Sequence, residues 1–246
     1  MKAVILAGGK ATRLYPLTLV TNKHLLPVYN KPIIYYAIEK LVSAGIDKIM
    51  IITSPHHVDG FVNLLGSGQN FLTNNKKQTQ IVYGIQNKPA GIAQGLWIAK
   101  DYIGKDDCVL YLGDNIFEDE IISHVENFKS GATVFLQEVK DPERFGVAEV
   151  DKKGNVIGIE EKPKKPKSNL AVAGLYIYDN SVFTKMLNQP MSKREEYEIT
   201  YVNNKYIEEK KLHSVLLKKP WFDIGTFDSL LEASNYMEKK SKENKS

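Results

Sequence analysis

The sequence lacks several features that would assign its chemistry at once. Its 246 residues contain one cysteine, Cys108, so an internal disulfide is excluded. Neither a pair of cysteines nor a His-Glu-x-x-His pattern offers a zinc site. No apolar run approaches the length of a transmembrane helix, and the first apolar stretch is too short for the core of a signal peptide. We therefore expect a cytoplasmic protein that spans no membrane.

An excess of charge of one sign is also lacking. The 33 basic and 29 acidic residues give a net charge of +4, which does not indicate nucleic acid or a membrane surface as a partner. The apolar fraction of 43% and the charged fraction of 25% are ordinary for a globular protein. Because no repeat or long linker divides the chain, we expect a single domain over 1–240 and a charged tail over 241–246.

Three well-known catalytic patterns are missing. No Ser/His/Asp or Cys/His arrangement indicates a covalent mechanism. No P-loop spacing follows Gly8 or Gly9. A dinucleotide fingerprint, Gly-x-Gly-x-x-Gly, requires glycine at the third and sixth positions counted from its first glycine, but counted from Gly8 these positions are Lys10 and Arg13. These absences disfavour an NAD(P)-dependent oxidoreductase.

The beginning of the chain does carry a pattern suited to a phosphate group. The β-branched run from Ala3 to Leu6 predicts a strand buried on both faces. Gly8 and Gly9 then allow a sharp turn and a close approach of a ligand. Thr12, Arg13 and Lys23 supply a hydroxyl and two cations, as a polyphosphate requires. A surface turn with solvated cations is the alternative.

Strand and helix signals alternate through the first half. The predicted strands after the first are 48–53, 80–85 and 107–112, and the predicted helices are 31–45, 58–65 and 91–102. This alternation predicts an α/β fold of the Rossmann-like type, with a mixed, mostly parallel sheet flanked by helices. Ligands of such sheets bind at the carboxyl ends of the strands. That rule places Gly8, Gly9, Gln86 and Asp114 on one rim.

The second half predicts additional mixed or antiparallel sheet. The expected strands are 133–139, 145–150, 156–161, 170–178 and 212–217, and the expected helices are 181–187, 200–209 and 226–239. We expect residues 239–246 to fray.

Two aspartates are candidate metal ligands. Asp114 follows a glycine where a strand ends, and a carboxylate placed there suits Mg²⁺ bound together with phosphate oxygens. Its alternative role is to cap a following helix. Asp223 lies among bulky apolar residues and needs a partner, because an unpaired buried charge is costly. A metal shared with Asp114 or a salt bridge to a lysine would satisfy it.

Other residues are candidates for binding the substrates. At the end of a strand, Glu161 could accept hydrogen bonds from sugar hydroxyls and Lys162 could neutralise a phosphate; a polar hairpin end is the competing interpretation. The amide of Gln86 could read a base edge. His24, beside Lys23, is expected to line the cleft.

Together these stretches resemble the sugar-nucleotide pyrophosphorylases, most closely the glucose-1-phosphate thymidylyltransferases in a short form. Seven motifs carry the resemblance: LAGGKATRLYPLT (6–18), KHLLPVYNKPIIYYAI (23–38), GIQNKPAGIAQ (84–94), LGDNIF (112–117), DPERFGVAEVD (141–151), EEKPKKPKSNLAVAGLYIYD (160–179) and WFDIGT (221–226). The resemblance implies one nucleotidyltransferase domain and a Mg²⁺-dependent reaction of a nucleoside triphosphate with a sugar 1-phosphate, most simply dTTP with glucose 1-phosphate. It also suggests a homo-oligomer, a dimer or a tetramer.

The resemblance also assigns roles to residues. It implies that the nucleotide is held by Gly8, Gly9, Thr12, Arg13, Lys23, Gln86, Gly91 and Asp114. It implies that the sugar phosphate is held by Gly146, Glu161, Lys162 and Val172. Asp114 and Asp223 would bind Mg²⁺. The residues implied to act in catalysis are Arg13, Lys23, Asp114, Lys162 and Asp223.

The chain departs from its relatives at several positions. Ala11 replaces a usual glycine, Phe145 a usual tyrosine and Ala173 a common threonine. Glu195, Tyr197 and Tyr201 also differ from the usual residues. These departures leave UTP or CTP and another hexose 1-phosphate open as substrates. A non-catalytic sensor of sugar nucleotides is a further alternative, disfavoured because the cations and both metal carboxylates are retained.

Overall fold

A computed structural model describes residues 1–9 and 11–243. The helices are α1 Ile33–Ser43, α2 Val58–Leu65, α3 Ile92–Ile98, α4 Lys100–Ile103, α5 Ile122–Glu126, α6 Val182–Lys185, α7 Ile199–Glu208 and α8 Phe227–Glu243. The strands are β1 Lys2–Ala7, β2 Pro27–Val28, β3 Lys31–Pro32, β4 Lys48–Thr53, β5 Gln80–Ile85, β6 Cys108–Leu112, β7 Asn115–Phe117, β8 Ala132–Glu138, β9 Gly146–Val150, β10 Val156–Glu161, β11 Leu170–Tyr178, β12 Leu212–Leu216 and β13 Trp221–Asp223.

A mixed sheet forms the centre of the molecule, as predicted. Within the described residues it has nine strands, ordered β10-β9-β11-β6-β1-β4-β5, with β8 paired to β11 and β12 paired to β8. The strands β6, β1, β4 and β5 run parallel. Around β11 the pairing with β6, β8 and β9 is antiparallel. The predicted change of architecture between the two halves is confirmed.

Helices cover both faces of the sheet, which explains why its strands are continuous apolar runs. Ala3 and Ile5 of β1 pack with α1 and α2 in one core, whereas Val4 packs with α3 and α7 in a second core. A third, smaller core lies under α8 and includes Leu14 and Phe222. A strand buried on both faces needs apolar side chains at every position. No helix in residues 1–9 and 11–243 has the length and apolar character needed to cross a membrane.

The bounds of several elements differ from the expectation. The predicted helix 91–102 is divided at Ala99 into α3 and α4. No helix follows Asp114; the short strand β7 does, so the helix-capping role of Asp114 is wrong. The final helix continues to Glu243, so residues 239–243 are helical, and residues 244–246 lie outside the described part. The short strands β2, β3, β7 and β13 were not predicted.

Candidate active site

The carboxyl ends of the parallel strands form the rim that the sequence predicts. The Gly113 N–H after β6 donates to the Leu6 carbonyl of β1 at 2.9 Å, and the Gln86 N–H after β5 donates to the Thr53 carbonyl at 2.8 Å. Gly8 is buried against Gln86, where an added Cβ would lie 2.6 Å from Gln86 Oε1. A larger residue at position 8 would therefore displace the side-chain amide of Gln86.

The segment after Gly9 forms a short 3-10 turn, Thr12–Leu14. Ala11 precedes it with φ 49° and ψ 41°, the left-handed region that usually favours glycine. Lys10 lies outside the described residues. Leu14 is buried, whereas Thr12 and Arg13 are exposed on the turn. The Arg13 guanidinium approaches Gly225, so the turn reaches the segment that carries Asp223.

Lys23 and Asp114 form an ion pair on this rim. Both side chains are largely buried, and the second Asp114 oxygen accepts a hydrogen bond from Asn115 Nδ2 at 2.7 Å. Burial opposes ionisation of Asp114, but the charge of Lys23 and these hydrogen bonds outweigh it and hold the pKa of Asp114 below its usual value. Asp114 is therefore a fixed, negatively charged carboxylate.

A two-stranded antiparallel ribbon brings Asp223 beside Asp114. In this ribbon of β7 and β13, Asp223 is opposite Asn115, and the Ile224 N–H donates to the Asp114 carbonyl at 2.9 Å. Burial and the neighbouring charge of Asp114 raise the pKa of Asp223 to about 6. Its ion-pair partner is not a lysine but Arg144, with Nη2 3.5 Å from Asp223 Oδ2.

These two carboxylates fit a hard divalent cation. Asp114 directly precedes β7, Asp223 is the last residue of the partner strand β13, and burial and the neighbouring charge of Asp114 both disfavour ionisation of Asp223. Among residues 1–9 and 11–243, no cluster of three or more His, Cys, Asp or Glu side chains could hold a metal. A pair of carboxylates suits Mg²⁺, because this ion takes one or two carboxylates and completes its shell with phosphate and water oxygens.

His24 does not line the cleft. It is 2% exposed, and its Nδ1 lies 2.5 Å from Asn22 Oδ1. Burial and the charge of Lys23 lower the pKa of His24 to about 3. The imidazole is therefore neutral and structural.

A cavity of about 500 Å³ opens next to the two carboxylates. Arg13 and Asp223 line it, together with all four residues predicted for the sugar phosphate: Gly146, Glu161, Lys162 and Val172. The remaining predicted residues lie outside its wall, on the rim described above or in the segment after it: Gly8, Gly9, Thr12, Lys23, Gln86, Gly91 and Asp114. The predicted site residues thus fall into two adjoining groups.

Glu161 is the anchored carboxylate of the cavity. Its Oε1 accepts from Arg194 Nη1 at 3.1 Å, and its Oε2 accepts from Thr200 Oγ1 at 2.6 Å. Lys162 follows with a φ of 43° and an exposed side chain. The end of β10 is therefore part of the cavity wall, rather than only a polar hairpin end.

Gln86 and Gly91 are in the segment that joins β5 to α3. Gln86 is buried, and its Nε2 donates to Gln94 Oε1 at 2.7 Å. Gly91 has a φ of 101° and lies against the backbone of Tyr197.

Sequence reasoning missed several polar residues of the cavity. They are Asn115, Arg144, Arg194, Thr200 and Trp221. Asn115 is the most constrained, because its Oδ1 accepts from Trp221 Nε1 at 2.7 Å and from the Gly174 N–H at 3.2 Å. Its position directly after Asp114 was the available signal. The others become candidates only when the fold brings their segments to the cavity.

The fold and this site define a nucleotidyltransferase. The Nucleotidyl transferase family matches residues 2–240, and the chain belongs to this family.

Two relatives of the chain have the name of one particular enzyme in this family. The chain is 44% identical over 242 residues to the glucose-1-phosphate thymidylyltransferase of Mycolicibacterium smegmatis, covering 96% of this chain and 82% of the relative. It is 45% identical over 243 residues to the enzyme of the same name from Xanthomonas campestris, covering 96% and 80%.

Solved structures agree with these relatives. A candidate glucose-1-phosphate thymidylyltransferase from Bacillus anthracis, crystallised with sucrose, superposes with a TM-score of 0.89 at 48% identity, covering 96% of this chain and 94% of that one. A UDP-glucose pyrophosphorylase in complex with UDP-glucose has a TM-score of 0.84 at 24% identity, covering 97% and 98%. The second likeness shows the fold alone.

Proposed function

We propose that the protein transfers a thymidylyl group from dTTP to glucose 1-phosphate, giving dTDP-glucose and pyrophosphate, with Mg²⁺ as the metal. The observation that carries the proposal is the junction of two carboxylates, Asp114 and Asp223, with a cavity lined by Arg13, Glu161 and Lys162. The names of the relatives from two organisms support the choice of substrates.

The residues of this chain act mainly by positioning and neutralising two anions. Arg13 and Lys23 would face the triphosphate, and Lys162 would hold the sugar phosphate within reach of the α-phosphorus. An oxygen of the sugar phosphate attacks that phosphorus in line, the bond to the β-phosphate oxygen breaks, and pyrophosphate leaves with the electron pair. A sugar phosphate is already ionised near neutral pH, so no general base is required.

Asp114 and Asp223 would hold the metal, and Mg²⁺ bound there supplies positive charge that lowers the cost of bringing two anions together. Lys23 pairs with the Asp114 carboxylate, so its ammonium group lies beside one of the proposed metal ligands. On the sugar side, Glu161 is oriented by Arg194 and Thr200 and can accept hydrogen bonds from hydroxyl groups.

The test is to incubate the protein with Mg²⁺, each nucleoside triphosphate and a panel of sugar 1-phosphates, and to measure pyrophosphate release. We expect the highest kcat/KM for dTTP with glucose 1-phosphate. A higher value for UTP, CTP or another hexose would correct the substrates and leave the reaction class. No release with any pair would favour the sensor and refute the enzymatic proposal.

A further inference from the structure

Gly91 lies where two segments of the site cross at close range. Its backbone has φ 101° and ψ 167°, a conformation that is essentially restricted to glycine. A Cβ added there would lie 2.4 Å from the carbonyl oxygen of Tyr197 and 2.7 Å from its nitrogen. These atoms belong to a backbone, so they cannot give way by a change of rotamer.

Two hydrogen bonds fasten the crossing. The Tyr197 N–H donates to the Ala90 carbonyl at 2.7 Å, and the Tyr197 carbonyl accepts from the Ala93 N–H at 3.1 Å. Both backbone groups of Tyr197 are therefore paired with residues on either side of Gly91. We call this pairing the Tyr197 bridge.

On one side, hydrogen bonds connect the Tyr197 bridge to the rim residues that are predicted to hold the nucleotide. Gln94 Oε1 accepts from the Ala90 N–H at 3.0 Å and from Gln86 Nε2 at 2.7 Å. The Gln86 side chain in turn packs against Gly8, which directly follows β1. The segment 86–94 is thus held to the rim by side-chain amides.

On the other side, the bridge supports the wall of the cavity. Glu198 follows Tyr197, and its Oε1 accepts from Ser192 Oγ at 2.8 Å and from Arg194 Nη1 at 3.2 Å. Arg194 and Thr200 both donate to Glu161, the anchored carboxylate of the cavity. A displacement of Tyr197 would therefore move the donors that orient Glu161.

We propose that Gly91, besides any contact with the base, is a positioning residue for the sugar-phosphate side of the cavity. It acts through the Tyr197 bridge by allowing segments 90–93 and 192–200 to meet. This role rests on the proposed function, because it concerns the second substrate of that reaction. A shift of about 1 Å in a positioned group can cost up to roughly a hundredfold in rate. The effect of a larger residue at position 91 is therefore measurable.

The principal variant is Gly91→Ala, and its matched control is Gly154→Ala. Gly154 also has a positive φ of 83°, but no described atom lies within 4 Å of its added Cβ. The control thus introduces backbone strain without the collision. We would measure the KM of glucose 1-phosphate at saturating dTTP, the Kd of dTTP without sugar, and the Tm of each protein.

For Gly91→Ala we expect the KM of the sugar phosphate to rise about tenfold or more and the Kd of dTTP to rise by a clearly smaller factor, because Gly91 is also an expected nucleotide contact. Gly154→Ala should alter neither value. An equal change in both constants, or an unchanged KM, would overturn the proposal. If the wild type releases no pyrophosphate with any substrate pair, the proposed function fails first, which is a different result.

A double-mutant cycle tests the route of the effect. Ser192→Ala removes a hydrogen bond to Glu198 on the far side of the bridge. If Gly91 acts through the segment 192–200, the effects of the two substitutions on the sugar KM will not add. Additive effects would refute the proposal that Gly91 acts through the Tyr197 bridge. Should Gly91→Ala fold poorly, Gln94→Leu loosens Ala90 instead and must also raise the sugar KM at saturating dTTP.

Discussion

At the residue scale, the two carboxylates of the site differ in the charge that they favour. Lys23 and Asn115 keep Asp114 ionised, whereas burial and Asp114 together raise the pKa of Asp223 to about 6. In the unfolded chain the pKa of Asp223 returns to about 4. Ionisation of Asp223 therefore opposes folding, and the stability that this group contributes is lost as the pH rises from about 4 to about 6.

The substitution Asp223→Asn should separate function from stability. Without Mg²⁺, the unfolding free energy of the variant should exceed that of the wild type by an amount that grows as the pH rises from about 4 to about 7. The difference should reach the order of 1–3 kcal/mol, because asparagine cannot ionise. Its turnover should fall by at least about a hundredfold, with a smaller loss of triphosphate affinity. Urea unfolding at both pH values, with chelator present, measures the first effect.

Asp151→Asn is the control for turnover, because Asp151 lies in an exposed turn. A stability difference between Asp223→Asn and the wild type that is the same at pH 4 and pH 7 would contradict the electrostatic argument. Full turnover by Asp223→Asn would refute its assignment as a metal ligand.

Ala11 has a backbone conformation that glycine adopts more readily than alanine. This residue replaces a usual glycine of the family. In the structure Ala11 has a left-handed conformation, φ 49° and ψ 41°. A non-glycine residue there costs roughly 1–2 kcal/mol. Two hydrogen bonds hold the residue in this conformation: the Ala11 carbonyl accepts from the Leu14 N–H at 3.1 Å and from Thr18 Oγ1 at 3.1 Å.

At the scale of elements, the ribbon of β7 and β13 assembles the carboxylates, and Asn115 joins it to β11. The Asn115 side chain is 1% exposed and makes three hydrogen bonds, to Trp221, Gly174 and Asp114. Because each of these bonds has a largely buried partner, their loss cannot be fully repaired by water.

We therefore expect Asn115→Leu to lower the unfolding free energy by about 2–4 kcal/mol, since two donors and one carboxylate lose their partner. Trp221→Phe removes only one of these bonds and should cost less. Urea unfolding monitored by circular dichroism compares the two variants. A smaller loss for Asn115→Leu than for Trp221→Phe would show that Asn115 does not hold the ribbon together.

Elements were predictable from the sequence where local patterning determines them. The strands β4, β5, β10 and β11 and the helix α2 have the predicted bounds, because each is a strongly apolar or amphipathic run flanked by turn residues. The ribbon was not predictable from local signals: β7 and β13 have three residues each, and their register depends on a partner far away in the sequence.

The candidate site was predictable to a similar degree. The rim residues follow from the rule that ligands bind at the carboxyl ends of parallel strands. Arg144 and Arg194 were missed because each is an ordinary surface arginine by pattern, and its neighbours Asp223 and Glu161 come from other parts of the chain. The metal and the roles of the predicted residues stay predictions.

At the scale of the whole molecule, the two groups of predicted site residues, those on the rim and those in the cavity wall, adjoin strands of one continuous sheet. The rim belongs to β1, β5 and β6, and the cavity wall belongs to β9, β10 and β11. The strands β6 and β11 are neighbours, so no hinge separates the two groups in the sheet. The expected homo-oligomer stays a prediction.

Because the site joins distant segments, ligands that fill it should stabilise the whole fold. With Mg²⁺ present, dTTP at a hundred times its Kd should add about 2.7 kcal/mol to the unfolding free energy. For a chain of this size that corresponds to a rise in Tm of roughly 5–10 °C. Thermal unfolding with each triphosphate, with and without chelator, measures the effect. A shift that is identical with all bases, or insensitive to chelator, would contradict the proposed nucleotide and metal.

The ribbon also affects when the site can become complete during synthesis of the chain. Asn115 and Trp221, which hold the two strands of the ribbon together, are 106 positions apart in the sequence. Synthesis on the ribosome proceeds from the N-terminus, so Gly8, Gly9 and Asp114 emerge long before Asp223. A nascent chain that ends before Trp221 has the rim residues Gly8, Gly9 and Asp114 but lacks Asp223, the second proposed metal ligand. We therefore expect no turnover until β13 has been synthesised.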